Sequence, residues 1–285
     1  MPLSRLELET SWGQLTVAGG SRAGEGTVIL LPQLRLALDP GRPHRALPPM
    51  ATAFVSHGHL DHLGALAYWA SQRYLNGMGP GRVVVPREIA PGVSELLELH
   101  ARLEGGRPYQ VEVTGVEEGE TLPLRRDMEL GFFTTDHWVP TLGLELTWLH
   151  RRLRPELAGL PGDEIRRLRE SGVEVSRTEP RRLLAYTADT GPRLLRRRPD
   201  LLEAEVLLVE CTFFRPSDRE RAARYGHLHL EDLLDVLPLL RCRHLVLLHA
   251  SRRHRLREFE RLLAQRLRPA LAGGLLLHHL VVDWE

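Results

Sequence analysis

A run of seven residues, 56–62, concentrates side chains that can bind a metal ion. It contains three imidazoles and one carboxylate, at His57, His59, Asp61 and His62. Neutral imidazole nitrogens and carboxylate oxygens are ligands of zinc and related divalent cations. Histidines two residues apart face the same way on an extended segment, whereas Asp61 and His62 stand where a helix begins and reach a second point. The spacing therefore predicts a hydrolytic centre with two metal ions rather than a histidine-rich surface loop.

The flanking residues predict how this run is held. The apolar residues 53–55 before it indicate a buried strand, and residues 63–73 after it carry apolar side chains at helical spacing. The N-terminal residues predict a meander of strands, with one turn at Gly19-Gly20. Asp39-Pro40-Gly41 closes this meander. A buried strand that ends in such a loop points several side chains at one spot.

Four later apolar runs also end in a side chain that can do chemistry. His137 follows one of these runs, just as His57 follows the run at 53–55. We therefore predict that His137 is the third histidine ligand. Asp136 beside it is expected to be exposed or to contact a ligand rather than the metal. The other runs end in Asp189, Glu210 and His249.

The order of these motifs resembles that of a known family. His-x-His-x-Asp-His at 57–62 resembles the signature of the metallo-β-lactamase superfamily. Passages similar to its tRNase Z branch, the tRNA 3′-end endoribonucleases, lie at 137–143, 186–190, 210–212 and 249–254. The resemblance implies an α/β (α+β) fold, the four-layer αββα sandwich, with the metal ions at one edge. A fold alone does not specify a substrate.

The resemblance also implies a role for each site residue. It implies two zinc ions, and the residue types are compatible with manganese or iron as well. The first zinc would take His57, His59, His137 and Asp189, and the second would take Asp61, His62, Asp189 and His249. Asp189 would bridge the two ions, and Asp61 counts as a catalytic residue as well as a ligand. Glu210 would orient His227, which would protonate the leaving 3′ oxygen.

Some positions depart from the tRNase Z pattern. Ala188 stands where the family usually has Gly, and His254 stands where it has Tyr. His229 falls where Thr is more usual, so a capping or packing role is predicted for it. The position of Asp39 resembles the strand-ending Asp of the superfamily, which implies that it supports the site; an ordinary turn is the alternative. The Cys-Gly-Glu-Gly passage expected near Asp39 is absent. Three further histidines lack any motif context and are predicted to be structural: His244, His278 and His279.

Residues 151–182 form a segment of different character. In tRNase Z a protruding arm that contains Gly and Pro grips the tRNA elbow at this point of the chain. Here the segment is short, and acidic residues interrupt its arginines. It predicts either a short RNA-binding arm or a solvated connector whose arginines form i, i+4 ion pairs.

Composition sets the frame for these motifs. The 285 residues are 42% hydrophobic, enough for a sizeable core, and we expect one hydrolase domain spanning 1–285. Cys211 and Cys242 lie in apolar surroundings and are predicted to be buried thiols, which suits a reducing cytoplasmic setting. We expect no leader peptide and no membrane-spanning segment. The net charge of +1 leaves nucleic-acid binding undecided. A homodimer is one assembly that we consider.

The sequence therefore predicts a zinc-dependent phosphodiesterase resembling tRNase Z, with RNA such as 3′-extended tRNA precursors as its substrate. One alternative is a small-molecule hydrolase of the same superfamily that cleaves a cyclic phosphodiester, a thioester or a lactone. The Glu210 and His227 pair favours phosphodiesters among these. The other alternative, a binding module with a decayed metal site, conflicts with the complete ligand set.

Overall fold

The computed structural model describes residues 3–271 and 273–284. Its strands form two sheets of seven, and in each sheet the strands lie side by side in the order of the chain. The first sheet contains β1 (Ser4–Thr10), β2 (Gly13–Arg22), β3 (Gly26–Leu31), β4 (Leu36–Leu38), β5 (Thr52–Phe54), β6 (Gly81–Pro86) and β7 (Val111–Val116). The second contains β8 (Thr121–Arg125), β9 (Met128–Thr134), β10 (Leu142–Leu153), β11 (Ser176–Tyr186), β12 (Val206–Glu210), β13 (His244–Leu248) and β14 (Leu276–His279).

Each sheet begins with antiparallel strands and ends with parallel ones. Strands β1 to β4 pair antiparallel, and β4 to β7 pair parallel. The second sheet repeats this plan, with β8 to β11 antiparallel and β11 to β14 parallel. The inner parallel strands are buried on both faces, which explains their continuous apolar runs such as residues 206–209.

The two sheets pack face to face, and helices cover their outer sides. One apolar core lies between the sheets, where Phe54 of β5 stacks on Phe132 of β9 with ring centroids 5.8 Å apart. A second core lies under α2 and α3 on the first sheet, and a third under α5, α7 and α8 on the second. The helices are α1 (Leu60–Leu63), α2 (Leu66–Leu75), α3 (Ala90–Leu103), α4 (Gly162–Glu170), α5 (Arg193–Arg197), α6 (Arg219–Tyr225), α7 (Leu230–Val236) and α8 (Leu256–Leu262). These layers are the predicted αββα sandwich.

Two local predictions were wrong in detail. Gly19 and Gly20 do not form a turn but lie inside β2. A Cβ on Gly19 would lie 2.4 Å from the Val28 carbonyl oxygen of β3, so glycine permits the close approach of two strands rather than a reversal. The helix predicted at 63–73 is divided into α1 and α2, and the Ala65 N–H between them donates to the Pro40 carbonyl.

Strands β10 and β11 extend together beyond the sheet. Their pairing continues to Leu153 opposite Ser176, and residues 154–175 connect their ends. This connection contains α4, which has no buried residue. We call residues 151–182 the arm. The described ranges contain no helix of the length and apolar character needed to cross a membrane.

Candidate metal centre

The chemical groups named from the sequence come together at one edge of the sandwich. Donor atoms of His57, His59, His137 and Asp189 all lie within 4.8 Å of one another. Donor atoms of Asp61, His62 and His249 form a second such group, and Asp189 and His249 form a third with His227. Both sheets contribute, because the loop after β5 supplies the first run and the ends of β9, β11, β12 and β13 supply the rest.

Asp39 supports this cluster through buried hydrogen bonds. The buried carboxylate accepts hydrogen bonds from the Ser56 N–H (2.6 Å), the Ser56 hydroxyl (2.7 Å) and the Tyr186 hydroxyl (2.6 Å). It also lies 2.7 Å from His62 Nδ1. His62 Nδ1–H therefore donates to Asp39, which leaves His62 Nε2 as the nitrogen that faces the cluster. Of the two roles considered for Asp39, the structure shows support of the site.

The same reasoning assigns the free nitrogen of three more histidines. The Ser56 hydroxyl donates to Asp39 and so accepts from His57 Nδ1–H at 2.9 Å. His137 Nδ1–H donates to the Gly226 carbonyl at 3.2 Å. The Thr212 hydroxyl donates to Glu210 and accepts from His249 Nδ1–H at 3.0 Å. In each case Nδ1 is engaged, so Nε2 is the nitrogen that is left to bind a metal.

Two carboxylates lie among these nitrogens. Asp189 Oδ2 is 3.4 Å from His62 Nε2 and 3.7 Å from His57 Nε2, and Asp189 Oδ1 is 3.4 Å from His249 Nδ1. Asp61 Oδ2 is 3.5 Å from His249 Nε2 and accepts the Gly24 N–H at 2.7 Å. Burial opposes ionisation, but the neighbouring imidazoles outweigh it and hold the pKa of both carboxyl groups well below the ordinary value. Both groups are therefore available as anionic ligands.

The nitrogens face one another at hydrogen-bond distance, where a proton or a metal ion must lie between their lone pairs. His57 Nε2 is 2.9 Å from His59 Nδ1, and His62 Nε2 is 3.2 Å from His249 Nε2. His137 Nε2 is buried and has no hydrogen-bond partner among the described residues. Burial lowers the pKa of the His57 imidazole well below its ordinary value and lowers those of His59 and His137, so these three are neutral. Neutral imidazoles with two anionic carboxylates form a donor set that fits divalent metal ions.

His62 differs from these histidines in its pKa. Burial disfavours its charged form, but the carboxylates of Asp189 and Asp39 outweigh burial and raise its pKa well above the ordinary value. In the protein alone this nitrogen holds a proton, and a metal ion would replace that proton.

The backbone is strained where it delivers these residues. Among the described residues, four that are not glycine have a positive φ, and three of them belong to the site: Asp39 (48°), Ala188 (51°) and His249 (61°). The left-handed region costs an L-residue roughly 1–2 kcal/mol. The positive φ explains in physical terms why Gly is usual at the position of Ala188. Each of these residues turns the chain at the end of a strand or just beyond it, as functional sites often require.

Glu210 and His227 form a second unit beside the cluster. Glu210, which is 1% exposed, lies 2.9 Å from His227 Nδ1. Its two oxygens also accept the Thr190 N–H (2.7 Å), the Leu228 N–H (3.2 Å) and both donors of Thr212. Burial lowers the pKa of His227, but the carboxylate and its hydrogen bond prevail and raise it to about 9. His227 therefore carries a proton at neutral pH in the protein alone.

The remaining predicted residues lie outside this cluster. Asp136 forms an ion pair with Arg193 at 2.6 Å. His229 has the predicted capping role, because its Nδ1 accepts the Glu231 N–H at the start of α7. His254 Nε2 lies 2.7 Å from Asp218. The other three histidines have structural contacts: His244 with His278 and the Glu9 carbonyl, and His279 with the Val281 carbonyl.

Sequence reasoning did not find the hydroxyl groups that orient the ligands. Ser56, Thr212 and Tyr186 each connect a site histidine or its support to a buried carboxylate. Ser56 and Thr212 are neighbours of motif residues, so their positions held a signal. Tyr186 lies in β11 and carried none beyond its place in the similar passage.

The fold and the donor cluster define a metal-dependent hydrolase of the beta-lactamase superfamily, and the model of the beta-lactamase superfamily domain matches residues 10–250. tRNase Z TRZ1 of Arabidopsis thaliana is 33% identical over 248 residues, which cover 86% of this chain and 88% of that protein. Nuclear ribonuclease Z of Triticum aestivum is 35% identical over 175 residues, 61% of this chain and 96% of that protein. Within the superfamily, the chain belongs to the tRNase Z (ribonuclease Z) family.

Solved structures show the same fold at lower identity. The short form of human tRNase Z has a TM-score of 0.56 at 16% identity, covering 82% of this chain and 92% of that one. The metallo-beta-lactamase fold protein YhfI of Bacillus subtilis has a TM-score of 0.58 at 13% identity, covering 91% and 92%. At these identities the likeness concerns the fold alone.

Proposed function

We propose that this protein is a zinc-dependent endoribonuclease that removes 3′ extensions from tRNA precursors. The observation that carries the proposal is the Glu210–His227 pair beside the donor cluster, in a chain whose relatives at 33–35% identity are tRNase Z proteins. A proton donor at this place serves a leaving alkoxide such as a ribose 3′ oxygen. A thioester releases a thiolate and has less need of it, and the tRNase Z relatives disfavour the other small-molecule alternatives.

The proposed ligands are those inferred from the sequence. His57, His59, His137 and Asp189 would hold one zinc ion, and Asp61, His62, Asp189 and His249 would hold the other. When bound, such cations lower the pKa of water and neutralise charge that develops on phosphate. Asp39, Ser56 and Thr212 keep the ligand nitrogens in the correct tautomer and orientation.

His227 would donate the proton that the leaving oxygen requires. Its Nδ1–H is held by Glu210, which leaves Nε2 for the substrate. The ring lies beside the cluster, because one of its nitrogens is within 4.8 Å of donor atoms of Asp189 and His249. Glu210 fixes the ring and favours its protonated form. Asp61 would be a ligand and a catalytic residue beside His62 and His249, and the Gly24 N–H holds its carboxylate in place.

The arm would contact RNA phosphates away from the metal centre. Its 32 positions contain nine arginines and six acidic residues, a net charge of +3 within a chain of net charge +1. A cleft of about 480 Å³ at its base is lined by Arg126, Arg151, Arg152 and Arg169 with one acid, Glu174. On α4, Arg167 pairs with Asp163 at 3.4 Å, as the connector interpretation expects, whereas Arg166 and Arg169 form no ion pair with any described residue.

The activity is tested with the zinc-loaded protein on two substrates, a 3′-extended tRNA precursor and bis-p-nitrophenyl phosphate. We expect a single cut at the 3′ end of the tRNA body and slower hydrolysis of the small diester. Hydrolysis of the diester without cleavage of any tRNA precursor would transfer the assignment to a small-molecule phosphodiesterase.

The arm is tested by replacing Arg166, Arg167 and Arg169 with Gln. We expect a higher KM for precursor tRNA, because contacts to phosphates are lost. Each lost contact should also flatten the slope of log affinity against log salt by about 0.7–0.9. A matched control replaces three exposed arginines elsewhere with Gln: Arg45, Arg102 and Arg261. An equal salt slope in the two triple variants would assign α4 to a solvated connector.

Three further statements belong to this proposal. The chain would act as one domain, since one core joins both sheets and both sheets supply site residues. A cytoplasmic location agrees with the two free buried cysteines. Homodimer formation stays a prediction, which sedimentation of the purified protein can decide.

A further inference from the structure

An exposed indole stands directly beside the metal centre. Trp138 follows His137, and 70% of its surface is exposed, whereas Trp69 in the core under α2 and α3 is fully buried. Leaving such a large apolar ring in water forgoes the stabilisation that burial would give. An isolated exposed aromatic residue needs no explanation, but this one lines a cavity that also contains a proposed metal ligand.

The cavity has a volume of about 470 Å³, within the range of ligand-binding sites. It lies between the loop after β9, the turn before α5 and the end of α6. Its lining residues are Asp136, His137, Trp138, Gly191, Pro192, Arg193, Ala222, Ala223 and Gly226.

Gly226 fixes the ring of Trp138 at one side of the cavity. Its φ is +64°, and a Cβ at this position would lie 2.6 Å from Trp138 Cδ1. A larger residue would push the indole away, so glycine is needed both for the backbone conformation and for the contact. The ring is therefore held at its edge while a face remains open.

The cavity suits a flat aromatic ligand better than a phosphate. Its two charged residues, Asp136 and Arg193, neutralise each other through a two-pronged ion pair, with Nη2 to Oδ1 at 2.6 Å and Nε to Oδ2 at 3.0 Å. The other walls are largely apolar, from Pro192 and two alanines. An open indole face among apolar walls is the chemistry that stacks a nucleobase of single-stranded nucleic acid.

We propose that this cavity binds one nucleobase of the RNA, stacked on Trp138, and that this base belongs to the nucleotide bearing the leaving 3′ oxygen. The proposal rests on the proposed function. The position follows from the turn at 225–227, which presents both the contact with Trp138 and the ring of His227. His137 and His227 have ring centroids 5.2 Å apart, and His137 is also tied to this turn through the Gly226 carbonyl.

Stacking of this kind reads the base weakly. The two charged side chains of the cavity wall, Asp136 and Arg193, bind each other, so neither is committed to one base edge. The cavity therefore contributes affinity and the position of the cut rather than sequence preference.

A cycle of protein and substrate changes tests the position. Trp138→Ala should lower kcat/KM for precursor tRNA by about 5- to 150-fold, the range of one base–aromatic stack. An abasic nucleotide just 5′ of the cut should lower the wild-type value similarly, and the two changes together should cost no more than either alone. Trp138→Phe should recover most of the loss. Tyr74→Ala, which alters an exposed aromatic residue on α2, is the control and should leave the rate unaltered.

Fluorescence tests the stack without any cleavage. A hairpin RNA that ends in the 3′-hydroxyl of the cleaved product, titrated into the zinc-loaded protein, should quench the emission of Trp138. Trp138→Phe should abolish this quenching, and a hairpin with an abasic 3′ terminus should not quench the wild type.

The outcomes separate this inference from the proposed function. Cleavage of tRNA precursors with fully additive effects of Trp138→Ala and the abasic nucleotide would overturn the inference and keep the function. With an abasic nucleotide 3′ of the cut, the effects of that change and of Trp138→Ala should be additive. Non-additive effects at that position would place the stacked base on the 3′ side of the cut and overturn our assignment. If no precursor is cleaved, the function fails, while quenching that depends on Trp138 would still establish the nucleobase site.

Discussion

Replacement of His227 by Ala separates proton donation from metal binding. His227 belongs to neither of the two proposed ligand sets, so we expect the variant to keep its bound zinc. Cleavage of precursor tRNA should slow by roughly 10²–10⁴-fold, the usual contribution of a positioned general acid. Its removal leaves Glu210 with four of its five hydrogen-bond donors but without its charged partner, so the free energy of unfolding should fall moderately.

Replacement of Glu210 by Gln perturbs the same unit from its buried side, at a larger cost in stability. Five donors point at the carboxylate, two at Oε1 and three at Oε2. A glutamine amide in either orientation turns its NH₂ group towards at least two of them. Each buried donor left unpaired costs about 1–3 kcal/mol, so the free energy of unfolding should fall by about 2–6 kcal/mol.

The assay compares leaving groups. The 3′ alkoxide of RNA needs a proton, whereas p-nitrophenolate leaves without one, so the loss in His227→Ala should be large for RNA and small for bis-p-nitrophenyl phosphate. Glu210→Gln should act in the same direction, and the double variant should be little slower than His227→Ala, because the two residues act as a unit. Zinc content and thermal unfolding are measured on every variant.

Equal losses for the two leaving groups would refute this reasoning and assign His227 to substrate binding or to folding. Loss of zinc in His227→Ala would refute it differently, because His227 would then belong to the ligand set, as its closeness to Asp189 and His249 allows.

Two further predictions concern the ligands and their support. Asp189→Ala should lose more zinc than His57→Ala, because Asp189 lies within reach of both proposed ions. Elemental analysis that finds full zinc occupancy in Asp189→Ala would contradict the assignment. Asp39→Asn should lower the free energy of unfolding by about 1–3 kcal/mol, because the amide must face at least one donor, such as the Ser56 N–H. It should also weaken zinc binding by about 10- to 100-fold, measured by chelator competition, and an unchanged affinity would contradict the orienting role of Asp39.

Much of the fold and site was predictable because the chemistry lies at strand ends. An apolar run followed by a polar motif reveals both a buried strand and the residue that it delivers, as for His137, Glu210 and His249. The capping role of His229 was also predictable, since it precedes a leucine-rich helix with acids in its first turn.

The features that were missed depend on contacts between distant residues. The dipeptide at Gly19 reads as a turn locally, and only the backbone of β3 explains it as close packing. The link from Tyr186 to Asp39 joins residues 147 positions apart across the two sheets. The orientation of Trp138 likewise depends on Gly226, far along the chain. Periodicity describes one element at a time and contains no information about such pairs.

The arrangement of the sheets has a consequence for how the protein is made. Residues 4–116 complete the first sheet, and its strands are neighbours in chain order, so this half can form while the ribosome still synthesises the other. Until the second sheet emerges, its inner face, with Leu8, Leu15 and Val17, has no covering layer and is prone to aggregate. The four metal-capable residues at 57–62 lack the other proposed ligands until the second half of the chain has been made. Zinc would therefore bind late in folding, and each ion would then cross-link the two halves of the nascent chain.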